Sequence, residues 1–155
     1  MSARIRGAAG EEDTGFMLGL SSRLAGVIET SLHEADDIVA FQDAYSAANL
    51  KDPPPDSLTL IAEGDGGERL GFLHALPGPD GITGRSIGYV ALLAVVEAAE
   101  GRGVARLLLD GAEAWARAKG YAALSLDVFA SNGRGRRFYE KNGFAVETLR
   151  MVKPL

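Results

Sequence analysis

The run Val95 to Leu109, Val-Val-Glu-Ala-Ala-Glu-Gly-Arg-Gly-Val-Ala-Arg-Leu-Leu-Leu, joins an apolar strand to an amphipathic helix through a loop with two glycines. The first N–H groups of such a helix have no partner inside it and lie at the positive end of its dipole. Glycines in the loop let an anion come close to the backbone. That chemistry is a cradle for phosphate, of the kind that takes the diphosphate of a nucleotide-type cofactor. A strand–glycine loop–helix unit is not unique, so its meaning depends on the residues C-terminal to it. Here a second strand, Leu124 to Val128, leads to Asn132 and then to Arg137-Phe138-Tyr139-Glu140-Lys141-Asn142-Gly143-Phe144. By residue type alone, Asn132 suits a helix cap and Tyr139 a half-buried aromatic whose hydroxyl reaches solvent.

The elements that position these residues emerge from periodicity and punctuation. A strand is expected over Ala3 to Ala8. The Asp13-Thr14 pair suits the cap of a helix bearing Phe16, Leu20 and Leu24. Ser31-Leu32-His33-Glu34 has the form of a capping box for a second helix, through Ile38, Phe41 and Tyr45 to Asn49. Pro53-Pro54-Pro55 stops it. Leu58 to Glu63 and Leu70 to Leu76 form a hairpin across Gly64-Asp65-Gly66-Gly67, and a Pro77 to Gly84 loop comes next. Ser86 to Val96 is apolar on both faces, as in a central strand. A helix from Val104 to Lys119 ends at Gly120, and a short one from Arg134 to Asn142 ends at Gly143. Phe144 to Val152 is expected as the last strand. The order implies one mixed α/β domain over residues 1–155.

Bulk properties narrow the class. The chain has 155 residues, 46% hydrophobic and 24% charged, with a formal net charge of −5. That size suits one domain, and the acidic balance argues against nonspecific nucleic-acid binding. Absence of cysteine excludes a thiol nucleophile, a disulfide framework and thiolate metal sites. His33 and His74 are too few for a histidine-built zinc site. The N-terminus lacks a signal-like apolar run, and no segment is long enough to span a bilayer, so a cytoplasmic protein without a membrane partner is expected.

Taken together, the glycine loop and the Asn132…Tyr139 segment resemble the acyl-CoA site of the GNAT superfamily of N-acetyltransferases. The resemblance is close over residues 86–145 and looser over the whole element order. It implies a twisted mixed sheet of six to seven strands with a splayed central strand, flanked by about four helices. It also implies transfer of an acetyl group from acetyl-CoA to a primary amine of a small molecule or peptide, with no metal. The loop pattern aligns with Glu100, Gly101, Arg102, Gly103, Val104 and Ala105. Amides from Arg102 through Gly103, Val104 and Ala105 to Arg106 would hold the diphosphate. Val95, Val96 and Glu97 would carry the pantetheine arm, and the Val95 N–H would polarise the thioester carbonyl. Asn132 would meet the pantetheine or thiol region, and Arg137, with Arg134 and Arg136, could meet the 3′-phosphate. Tyr139 would protonate the departing thiolate. Dimerisation is common in the superfamily.

Three sites depart from that pattern. Glu100 stands where Gln or Arg is usual, Gly135 where a small alanine is common, and Ala91 and Leu92 where relatives often carry acids. The route for the amine proton is therefore open between Glu97, His74 and water. With no cysteine to carry an acyl group, attack would be direct, in a ternary complex. Glu100 and the missing acid also fit a non-catalytic acyl-CoA-binding module. A domain for some other phosphorylated ligand is the third reading.

Overall fold

The computed structural model describes residues 2–155. Along the chain run β1 (Arg4–Gly7), α1 (Gly10–Gly19), α2 (Ser21–Ala25), α3 (Ala35–Leu50), β2 (Leu58–Glu63), β3 (Arg69–Pro79) and β4 (Ser86–Val95). A 3-10 turn (Glu97–Ala99), α4 (Val104–Ala118), β5 (Leu124–Ser125) and α5 (Gly133–Lys141) complete it. One sheet has the order β1-β2-β3-β4-β5, antiparallel except for the parallel β4/β5 pair.

Each face of the sheet has its own core. On one side Val104, Leu108, Leu109 and Ala112 of α4 pack against Leu60, Leu73 and Val90. Their spacing puts one apolar stripe of α4 on the sheet. On the other side Met17, Leu20 and Leu50 pack against Ile61, Phe72 and Leu92. β4 changes its alternation part-way along. His74 pairs with Leu92 and Ala75 with Val90, which leaves Ala91 as an extra residue without a partner on β3. Ala91 and Leu92 therefore both join the α1–α3 core, while Val90 and Leu93 join the α4 core.

Several expectations are corrected. The sheet has five strands among the described residues, not six to seven. β5 stops at Ser125, and Phe144 to Val152 forms no strand despite its pattern, leaving Val146, Leu149 and Met151 exposed. Apolar alternation records a preference for a pleated face, but a strand also needs a partner edge. β3 runs on to Pro79 through the expected loop. Pro77 and Pro79 alternate with Gly78 and Asp80, and the Asp80 N–H reaches β4 at Arg85 (2.8 Å), so the missing proline donors face away from that ladder. The α3 capping box uses Glu34 and Asp37 rather than Ser31 and Glu34.

The first expected helix is broken into α1 and α2 and begins at Gly10, before Asp13. Asp13 is 1% exposed and accepts from Ala9 N–H (2.8 Å), Arg6 Nη2 (3.0 Å) and Arg69 Nε (2.7 Å). The Arg6 guanidinium holds its carboxyl well below the usual carboxylate range. Asp13 thus ties α1 to β1 and β3, a role the helix pattern alone did not reveal.

His74 is fully buried. Its Nδ1 lies 2.8 Å from Thr59 Oγ1, its Nε2 has no partner, and burial pushes its pKa down to about 4. An unfolded histidine titrates near 6.5, so between these values the unfolded chain binds the extra proton. Stability from this residue is complete above pH ~6.5 and is lost as the pH falls toward 4, by about 3 kcal/mol in the limit. Urea unfolding at pH 7 and 4.5 should therefore show a smaller acid loss for His74→Gln than for the wild type.

Candidate active site

β4 spends its two edges unequally. β3 covers one edge along its length, whereas β5 meets the other only at Gly88 and Tyr89. Beyond that point the backbone of β4 faces a gap. Val96 donates to Leu70 on β3 (2.9 Å), so the N–H and C=O of Val95 point the other way, into the gap. The Val95 carbonyl accepts from Arg23 Nε at 3.0 Å.

After β4 the 3-10 turn leads to Gly101 and Gly103, with φ of +73° and +79°. Both lie in the left-handed region that side chains resist, and a Cβ at either would meet nothing within 4 Å. Gly103 is the N-cap of the 15-residue α4, and no side chain caps that helix. Its first amides, at Val104, Ala105 and Arg106, thus form an exposed positive helix end. Glu100, at the edge of this loop, is neutralised. One carboxylate oxygen accepts from Arg134 Nη1 (2.7 Å) and the other from Arg23 Nη2. Arg134 foremost, and Arg23, hold the Glu100 carboxyl below its ordinary range.

Through Arg134, α5 is tied to this loop. The Asn132 Oδ1 accepts from Gly135 N–H at 3.0 Å and caps the helix. A Cβ at Gly135 would lie 2.5 Å from Asn132 Nδ2, so glycine here makes room for that cap. Tyr139, further along the same helix, packs edge-on against Phe138 and Phe144, with centroids 5.3 and 5.7 Å away. Burial pushes its phenol up to about 12. Arg136 pairs with Glu140 at 2.9 Å, and Arg137 is in no ion pair among the described residues.

The profile of the acetyltransferase (GNAT) family matches residues 24–144. This chain belongs to the GNAT acetyltransferase family. No curated protein sequence matches it. Solved structures share the fold: a proposed acetyl transferase from Pyrococcus furiosus has TM-score 0.80 and 23% identity, covering 99% of this chain and 100% of that one. A ribosomal-protein-alanine N-acetyltransferase from Brucella melitensis has TM-score 0.70 and 22% identity, with 99% of each chain covered. AAC(6′)-Iy, bound to the bisubstrate analogue CoA-S-monomethyl-acetylneamine, has TM-score 0.67 and 21% identity, covering 100% of this chain and 98% of that one.

In this GNAT chain Val95 ends β4, the 3-10 turn with Glu97 and the glycine loop follow directly, and the Arg134–Glu100 pair ties that loop to α5, which carries Asn132 as its cap and Tyr139. His74 lies beneath the sheet surface at 0% exposure, with Thr59 as its partner, and Glu97 is exposed in the 3-10 turn. Among the described residues no group of acidic or histidine side chains is arranged to hold a metal ion. No helix among them is long and apolar enough to cross a membrane. Sequence reasoning missed two features. Arg23 reaches Glu100 across 77 positions, and the Tyr89 hydroxyl donates to Asp127 Oδ2 (2.7 Å) across 38. Neither pairing leaves a local signal. The one available hint was that Tyr89 precedes Ala91 by two residues on a strand.

The Asn132 cap generates a stability test. By urea unfolding, Asn132→Ala should cost about 1 kcal/mol. Gly135→Ala should yield none of the roughly 1 kcal/mol that this exchange ordinarily gives inside a helix, because the new Cβ displaces the cap.

Proposed function

We propose that this protein transfers an acetyl group from acetyl-CoA to a primary amine of a small molecule or peptide, by direct attack in a ternary complex. The observation that carries the reading is the uncapped α4 terminus, with Gly101 and Gly103 at positive φ, following directly on the free edge of β4 and tied through Glu100 to Arg134 of α5, the helix that carries Tyr139. Uncapped amides behind a loop of two glycines fit a diphosphate.

Amides from Arg102 to Arg106 would hold that diphosphate, and the N–H groups of Val95 and Glu97 would pair with the pantetheine arm, while Val96 between them is committed to Leu70 and Ala99. Arg137 would approach the 3′-phosphate, and Asn132 would stand near the thiol. When bound, acetyl-CoA supplies an activated acyl group. The Val95 N–H, held by the strand, would stabilise negative charge on the carbonyl oxygen as it develops. Tyr139, protonated throughout the physiological range, would deliver its proton to sulfur. The Glu100 carboxylate is no obstacle to an anion while Arg23 and Arg134 neutralise it. The protein is expected to act in the cytoplasm.

Saturating CoA should raise the melting temperature of the wild type, and one or more amines in a panel should drive thiol release from acetyl-CoA. Tyr139→Phe should lower kcat about 100-fold with CoA affinity unchanged. Stabilisation by CoA with no productive amine would favour a non-catalytic acyl-CoA-binding module, the reading to which the apolar Ala91 lends support. Absence of CoA stabilisation would remove both.

A further inference from the structure

Ala91 leaves the unpaired stretch of β4 without an acid, yet a carboxylate is present at the point where β4 and β5 part. Tyr89 and Ser125 are the last paired residues of the two strands. Two positions beyond Ser125, Asp127 receives the Tyr89 hydroxyl at 2.7 Å. Tyr89 stands on β4 two residues before Ala91. It also contacts Tyr45 of α3, which stacks on Phe41 with centroids 5.8 Å apart. Asp127 itself is exposed, so one oxygen of its carboxylate accepts from Tyr89 while the residue stays accessible from outside. Burial foremost, with the Asp127 carboxylate and Tyr45, keeps the Tyr89 phenol protonated well above its usual range, so Tyr89 serves as a donor and the carboxylate as the acceptor.

We infer that Asp127 is the proton acceptor for the attacking amine, and that Tyr89 is the residue that positions it. The inference rests on the acetyl-transfer reading above. The lone pair of an uncharged amine forms the N–C bond while the C–S bond breaks and its electron pair leaves with sulfur. Asp127 takes the proton given up by nitrogen, Tyr139 supplies one to sulfur, and solvent carries the proton from Asp127 back to Tyr139. The products are an amide and a thiol. No redox partner or metal enters this balance. Asp127 fills the role in place of the strand acid that Ala91 lacks, from the segment that follows β5.

The test uses the full-length chain and an amine found productive with the wild type. Asp127→Asn should lower kcat about 100-fold or more, leave the CoA-induced rise in melting temperature unchanged, and change KM for the amine far less than kcat. Asp127→Ala should regain activity saturably with added formate, a rescue that a purely structural role would not give. Tyr89→Phe should lower kcat by a smaller factor, with no response to formate. If Asp127→Asn keeps kcat within twofold of the wild type, or folded Asp127→Ala ignores formate, Asp127 is not the acceptor while acetyl transfer stands. If the wild type binds CoA but releases thiol with no amine, the reading itself fails and this inference with it.

Discussion

The site depends on a strand whose hydrogen-bonding capacity is left half used. β4 is paired with β3 along one edge, and with β5 at only two residues along the other. Backbone N–H and C=O groups need partners wherever water is scarce, so an open edge inside a molecule attracts other donors and acceptors. Arg23 already supplies one for the Val95 carbonyl. An extended ligand laid along such an edge gains main-chain hydrogen bonds without any rearrangement of the sheet. The bulge at Ala91 adds twist just where the strands part.

Two charge networks do different work around that gap. Asp13 is buried, with two arginines and an amide on its carboxylate, and removing it would leave Arg6 to Glu63 and Arg69 to the exposed Glu12, with the Ala9 amide unpartnered. It joins α1 to the sheet. Glu100 is partly exposed, and pairs of that kind contribute only about 0–1 kcal/mol to stability. Its value lies in position, because Arg23 of α2 and Arg134 of α5 meet on one carboxylate beside the glycine loop. The carboxylate of Glu100, where the family pattern has Gln or Arg, is balanced by two cations that come from distant elements.

Long amphipathic stretches were the most readable part of the fold. The α4 stripe, the β2–β3 hairpin and the glycine that ends α4 arise from contacts within a few residues, and the structure places them where periodicity did. Boundaries that depend on charge or pairing were not readable in this way. Asp13 reads as a cap because acids favour helix starts, yet its partners Arg6 and Arg69 lie on strands. Phe144 to Val152 alternates like a strand, yet no edge pairs with it. Within the proposed site, the loop and the Asn132…Tyr139 segment were legible because each is continuous in sequence. Asp127 was not, since its relation to Tyr89 exists only when two strands lie side by side.

Residue order over short distances was enough to settle the glycine loop, the helix it opens, the asparagine cap and the family to which they point. Those features arise from dihedral preferences and hydrogen bonds among near neighbours, which every copy of the same local sequence carries with it. Folding alone decided where β5 leaves β4, which arginines neutralise Glu100, and why His74 is buried while Asp127 meets Tyr89. Such outcomes come from contacts between residues dozens of positions apart, and the free energy that selects among them belongs to the packed sheet and its two cores.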